Sequence, residues 1–181
     1  QNKSSEPGEI DLIIARIHLR EGALKKAADI LQTLVERNKI EEATYMLAVI
    51  RYQQKKVAEA TRLLQTIESE SESDFYEDGL SLQVRIFMDE EQLAKGVALL
   101  QGAISNNKHI SSGTYTLLAS LYSELKMFDA GYKILDEALK LYPKETRIHF
   151  EYGLLLEKDN KRKEAIEQME KVLVLDPDHA E

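Results

Sequence analysis

The chain has no cysteine and no tryptophan, and only three of its 181 residues are proline. Without cysteine there can be no disulfide, no thiolate metal site and no cysteine nucleophile, and the redox compartment stays open. No apolar run approaches the roughly 18 residues of a membrane span, and no signal peptide is recognisable. Direct membrane insertion is therefore not expected, while cytoplasm and bacterial cell envelope both remain allowed. The formal charge is −8, with 11 basic and 9 acidic side chains in residues 1–67 but only 3 basic against 9 acidic in 68–111. That distribution makes no basic stripe able to track phosphates, so nucleic acid is not an expected partner.

Catalytic constellations are missing too. The four histidines, His18, His109, His149 and His179, have no helical metal-ligand spacing. His18 and His149 read as packing residues. The glycines fall at helix contacts or turns rather than in a phosphate-cradling run. The abundant carboxylates read as solvated helix faces, and no pair stands out in apolar surroundings. No catalytic residue, metal or cofactor is expected, and an enzyme is not the favoured reading.

What the chain does have is a unit written twice between Ser112 and His179. Pro143 and Pro177 close the two copies, 34 residues apart, and Ala119, Gly131 and Ala138 recur as Gly153, Ala165 and Val172. Self-similarity at this period is the mark of a helical repeat array. Leu117, Leu118, Leu121, Tyr122 and Leu125 have the spacing of a helix with one buried face, as do Ile134, Leu135, Ala138, Leu139 and Leu141. Lys126 and Met127 leave room only for a tight turn, so the two helices form an antiparallel hairpin. Ala119 and Gly131 are expected where the two backbones approach. Pro143 ends the second helix. One hairpin cannot bury its outer apolar face alone, so its neighbours must stack on it.

In chain order, Gln1–Glu9 reads as a polar lead-in, and Ile10–Glu21 as a helix with Ile10, Ile13, Ile14 and Ile17 on one face. Leu12 and Leu19 lie off that face, and Gly22 serves as the C-cap. Helices follow at Leu24–Glu36, Glu42–Gln54, Val57–Glu68, Phe75–Met88 and Gln92–Ile104. The acidic segment Glu68–Asp74 reads as a solvated connector whose Ser73 or Asp74 caps the next helix. Asn106-Asn107 reads as a turn, and Ser111-Ser112 as a further cap.

These residues resemble the tetratricopeptide repeat (TPR) family, over nearly the whole chain. Ser112–Glu145 and Thr146–His179 satisfy most of its motif, small at the eighth position, Ala-like at the twentieth and Pro at the thirty-second. Leu24–Leu34, Val57–Ile67 and Leu93–Ala103 echo one another further upstream. Five repeats are expected, near 8–41, 41–74, 77–110, 112–145 and 146–179. Three of them lack the closing proline and carry Lys39, Glu72 and Lys108 instead. Arg51 stands where the second repeat should be apolar, which suggests a one-residue shift with Tyr52 in its place. The resemblance implies an all-α, right-handed superhelix of about ten helices, a single array over 10–181.

The resemblance also implies a protein–protein interaction scaffold that takes an extended peptide or partner helix in a concave groove. Carried over by position, its groove includes Leu12, Arg16, Leu19 and Arg20, then Tyr45, Val49, Tyr52 and Gln53, then Ser81, Arg85, Met88 and Asp89. Further along it includes Thr116, Ser120, Ser123 and Glu124, then Arg147, Phe150, Leu154, Glu157 and Lys158. Binding is expected through Arg16, Arg20, Tyr45, Val49, Tyr52, Arg85 and Met88, which suit an acidic or aromatic-bearing segment. The Lys and Asn pair with which co-chaperone TPR domains clamp a C-terminal carboxylate is missing, so chaperone tails are not expected ligands.

An alternative is self-assembly through the array ends, and another is an accessory domain of a larger envelope, secretion or enzyme complex. The start at Gln1 and the ending Asp176–Glu181 suggest a piece of a longer array, since TPR chains, many of them bacterial, begin another repeat at such a junction. In the last helix, Ala165, Ile166 and Met169 are expected to pack inward. Val172, Leu173 and Leu175 are expected to face onward, to a following helix or to a second copy in a homodimer.

Overall fold

Each hairpin begins with a helix that ends in the same way. In the computed structural model, which describes residues 8–38, 40–68, 73–106 and 110–177, a left-handed residue follows the first helix of every repeat. These residues are Gly22 (φ 72°), Lys55 (62°), Glu91 (58°), Lys126 (57°) and Asn160 (61°), all at the fifteenth position of their repeats. A left-handed residue lets its own amide and the next one turn back onto the last carbonyls of the helix. Ala23 N–H accordingly donates to His18 O (2.8 Å) and Gly22 N–H to Leu19 O (3.1 Å). Met127 to Tyr122 (2.8 Å) and Lys126 to Ser123 (3.0 Å) repeat the arrangement, as do the other three turns.

The described residues form ten α-helices and no strand: α1 (Glu9–Arg20), α2 (Leu24–Asn38), α3 (Glu41–Gln53), α4 (Val57–Glu68), α5 (Tyr76–Asp89), α6 (Leu93–Asn106), α7 (Ser112–Glu124), α8 (Phe128–Leu141), α9 (Thr146–Lys158) and α10 (Arg162–Leu175). The sequence boundaries are met within two residues. The helices fall into two compact units, Gln1–Ile86 and Phe87–Glu181, with the boundary inside α5.

In the first unit, Leu12 and Ala15 of α1, Ala27, Leu31 and Leu34 of α2, and Ala43, Leu47 and Ile50 of α3 make one core. Ala48 of α3, Ala60 and Leu64 of α4, and Leu82 and Ile86 of α5 make the next. Helix α3 is thus shared between two cores, as stacking requires. Each buried leucine or isoleucine adds roughly 1.5–3 kcal/mol of burial free energy. Helix α1 differs from the sequence reading: Leu12 and Ala15 point inward, while Ile10, Ile13, Ile14 and Ile17 are exposed. A helix apolar more than halfway round has two candidate inner faces, and periodicity does not choose between them.

The expected register shift at Arg51 is absent, because Ala48 is buried at the eighth position and Lys55 keeps the left-handed fifteenth. The Arg51 guanidinium stays half-buried with polar partners instead: Gln54 Oε1 (3.0 Å), Gln32 Oε1 (3.3 Å) and Glu59 Oε2 (2.9 Å). Ser73 Oγ accepts the Phe75 N–H (3.1 Å) ahead of α5 and donates to Glu41 Oε2 (2.6 Å). Ser111 occupies the N-cap position of α7 without a side-chain cap hydrogen bond.

In the second unit, Leu118, Leu135, Ile148 and Leu155 are buried. Gly131 of α8 receives a side chain rather than the α7 backbone: a β-carbon there would lie 2.8 Å from Leu155 Cδ2 of α9. Gly153 of α9 likewise receives Met169 of α10, at 2.7 Å from its Cε. Tyr142 caps α8 just before Pro143, as the proline dictates. In α10, Ala165 is inward as expected, but Val172 is buried and Ile166 is exposed, the reverse of their assignment. Val172 repeats the buried Ala138 one period earlier, whereas Ile166 occupies the place of Tyr132, which is half-buried against α9. Leu173, Val174 and Leu175 are exposed. The expected features at residues 1–7, 39, 69–72, 107–109 and 178–181 lie outside the described residues; these include most of the lead-in and of the acidic segment, Asn107, Lys39, Glu72, Lys108, His109, His179 and the end of the chain.

Candidate binding surface

Along α3, Tyr45, Val49 and Tyr52 fall at helical spacing on one side, so the first unit presents them as one ridge. All three are partly buried, packed against the core of Ala48, Leu64 and Ile86. The Tyr45 ring stacks on Phe75, with centroids 5.8 Å apart and planes 26° from parallel. Burial pushes the Tyr45 phenol up; Asp78 reinforces this and Arg85 opposes it. Both charged residues belong to α5 of the same unit. The ridge is aromatic and packed along its inner side.

The arginines divide into two kinds. Arg16 of α1 is committed: its Nε donates to Glu42 Oε1 of α3 (2.8 Å) and its Nη2 joins the same oxygen. Arg20 and Arg85 are exposed and form no ion pair among the described residues. Met88, one turn beyond Arg85 on α5, is exposed and belongs to the second unit. Leu12, assigned to the groove by position, is buried in the core.

In the second unit four of the corresponding positions are buried or paired internally. Thr116 and Ser123 are buried, so neither lines a groove. Glu124 of α7 pairs with Lys158 of α9 (2.6 Å). Phe150 is exposed, and burial raises the neighbouring Glu151 carboxyl against the pull of Arg147 and Lys158. His149 is buried with Nδ1 2.9 Å from Gln168 Oε1, and His18 is half-buried, so both pack rather than point into a site.

One polar cluster had no motif to announce it. Tyr132 of α8 and Tyr152 of α9 stack at 5.6 Å, with Lys161 Nζ 4.5 Å from the Tyr132 ring centroid. Tyr132 donates to Asp159 Oδ2 (2.8 Å), Asp159 pairs with Lys161 (2.7 Å), and Tyr152 donates to Asp136 Oδ1 (3.2 Å). Burial, then the Asp159 hydrogen bond, pushes the Tyr132 phenol up to about 12. All of its partners lie within the α8–α10 packing, so the cluster joins repeats. A cleft of about 550 Å³ opens between α6, α7 and α8 over Ile104, Leu118 and Ile134, rimmed by Gln101, Lys133 and Glu137. Among the described residues no group of His, Asp or Glu could hold a metal ion, and no helix is long and apolar enough to cross a membrane.

Comparison with known proteins points to the same kind of repeat. No curated protein matches the sequence. Among solved structures, MamA (residue 41 to the end) from Desulfovibrio magneticus RS-1 is similar, with TM-score 0.70 at 16% identity over 98% of this chain and 99% of that one. The kinesin light chain TPR-like repeats of Podosopora anserina reach 0.71 at 18% identity, over 97% and 99%. YrrB, described as a TPR protein with an unusual peptide-binding site, reaches 0.61 at 15% identity, over 95% and 88%. Identities this low establish the fold alone. Family profiles described as tetratricopeptide repeat match residues 12–74 and, separately, 112–145 and 146–179. With these profiles covering more than half of its length, and its helices paired in hairpins, the chain belongs to the tetratricopeptide repeat family.

Proposed function

We propose that this protein binds an extended, acidic segment of another protein, bearing an aromatic residue, along the α3 ridge of its first unit. The tetratricopeptide fold is a scaffold for protein–protein interaction. The observation that carries the finer reading is the combination of two chemistries within the first unit. Two exposed arginines without an ion pair among the described residues, Arg20 and Arg85, share the unit with a half-buried aromatic ridge. Arginine and tyrosine are the side chains that most often anchor interfaces. Rigid aromatic side chains lose little entropy on binding, and a guanidinium gives a carboxylate two parallel hydrogen bonds.

An array of Asp/Glu-rich peptides with a single Phe or Tyr, against a charge-reversed Lys/Arg array, tests the reading. Acidic peptides should bind, and Arg85→Ala or Tyr52→Ala should weaken them by about 2 kcal/mol, roughly thirty-fold. Ser120→Ala, in the second unit, should have little effect. Equal binding of both arrays, or equal losses in all three variants, would overturn it.

A further inference from the structure

At the tenth position of its repeat, Ile17 of α1 is 48% exposed. The residues at that position in the other four repeats are Ile50, Ile86, Leu121 and Leu155, and each is 1% exposed. The third position behaves alike: Ile10 is 61% exposed, whereas Ala43 and Ile148 are fully buried. These residues are not loose surface apolars. They belong to a side of the first helix that every later repeat covers.

What covers it elsewhere is consistent. Ile50 shares its core with Ala27 and Leu31 of the preceding α2, and Ile86 shares its core with Ala60 and Leu64 of the preceding α4. Leu155 sits on Gly131 of the preceding α8. The tenth residue of one repeat thus enters the place left by the small twentieth residue of the repeat before it.

The same receiving surface recurs on α10 with no described residue over it. Ala165 takes the place of Ala27, Ala60 and Gly131. Beside it, Ile166 and Leu173 are 60% and 47% exposed. Their counterparts one period earlier, Tyr132 and Leu139, are half-buried, and Tyr132 lies stacked against α9. One chain therefore carries both halves of its own internal junction, an inserting half on α1 and a receiving half on α10.

We infer that a second copy of this chain docks the isoleucine face of its α1 on the Ile166–Leu173 face of α10, repeating the internal junction between molecules. Such a contact joins two different surfaces. It leaves a free half at each end of a dimer, so association continues with concentration rather than stopping at two. A symmetric α10-to-α10 dimer would instead press two receiving surfaces together, with no inserting residue between them.

Sedimentation of the wild type, Ile17→Lys and Leu173→Lys, alone and mixed, separates the possibilities. Both substituted side chains are half exposed, and circular dichroism should show unchanged helix content. If either variant loses helix, Ile10→Lys and Ile166→Lys take their places. The wild type should rise above its 20.7 kDa monomer mass with concentration and pass beyond dimer. Each variant alone should remain a monomer. Their equimolar mixture should give one species of twice the monomer mass, because only one intact junction remains. A wild type monomeric at about 0.5 mM, a variant that associates by itself, or a mixture that stays monomeric would each overturn the inference. Leu173→Lys monomeric with Ile17→Lys still dimeric would identify a symmetric α10 contact instead. Failure here leaves the peptide-binding reading of the α3 ridge untouched, since neither substitution lies on it.

Discussion

Leu155 of α9 occupies the space that a side chain on Gly131 of α8 would need, at 2.8 Å from Cδ2 and 3.2 Å from Cδ1. The glycine belongs to one repeat and the leucine to the next, so their contact is a join between repeats. Gly153 has the matching relation to Met169, but inside a single hairpin and to a flexible Cε.

Alanine substitutions should therefore separate these two glycines. Gly131→Ala places a methyl group against both ends of a fully buried leucine and should destabilise by about 1 kcal/mol despite the gain in helix propensity. Gly153→Ala meets a thioether methyl that can rotate away, and should be neutral or stabilising by up to about 0.5 kcal/mol. Urea midpoints of the two variants check the order; a reversal would place the tighter join within the hairpin.

The left-handed turns allow a second comparison. Gly22 has no atom near the position of an added β-carbon, so Gly22→Ala probes backbone conformation alone and should cost about 1 kcal/mol. Lys126 adopts the same conformation with a β-carbon (φ 57°). Lys126→Gly should stabilise by about 0.5 kcal/mol, as strain relief exceeds the added freedom of the unfolded chain. Thermal unfolding of both variants measures the two signs.

Gly22 also marks how far the sequence could be read. A glycine after an apolar helix announces a turn, but Lys55, Glu91, Lys126 and Asn160 adopt the same backbone with no such signal. Those turns were legible instead from the short gaps between successive apolar runs, as at Lys126 and Met127. The hairpins, their order and their inward small residues were legible because each pattern recurs. On α1 recurrence failed, since a helix with Leu12 and Ala15 on one side and four isoleucines on another offers two apolar faces. Choosing between them required knowing what lies against the helix. Ile166 and Val172 were interchanged for a related reason: adjacent apolar stripes on α10 differ only in which neighbour each meets. For the candidate site, the family positions nominate Tyr45, Tyr52, Arg20 and Arg85 for the proposed ridge. They could not show that Arg16 is paired with Glu42, a contact between residues 26 apart.

Glu151 supplies a prediction in pH. Burial raises its carboxyl pKa, and Arg147 and Lys158 only partly counter the rise. The fold therefore favours the protonated form, so stability from this group is complete below its unfolded pKa and is lost as pH rises through the higher folded value. Glu151→Gln should raise the urea midpoint at neutral pH, and its advantage should vanish in acid, below the carboxylate range. A lower midpoint at neutral pH would show that attraction to Arg147 and Lys158 outweighs desolvation.

The two kinds of arginine supply the last prediction, which rests on the proposed peptide site. Arg16 already donates to Glu42, and an exposed pair of this type contributes about 0.2–1 kcal/mol. A ligand carboxylate would have to displace Glu42 before using it, returning little net affinity. Arg20 and Arg85 have no described ion-pair partner to displace, and a charge-assisted hydrogen bond from either adds directly. Arg16→Ala should therefore lower stability slightly while leaving acidic-peptide affinity within about two-fold, and Glu42→Ala should strengthen that affinity by freeing Arg16. Arg20→Ala or Arg85→Ala should lower affinity by about ten-fold or more, with unfolding midpoints unchanged. Calorimetric titration with one acidic peptide across the four variants, alongside urea unfolding, gives both readouts. Equal affinity losses at Arg16 and Arg85, with no gain at Glu42→Ala, would mean that Arg16 leaves its partner to hold the ligand and that the internal pair does not set the site's specificity.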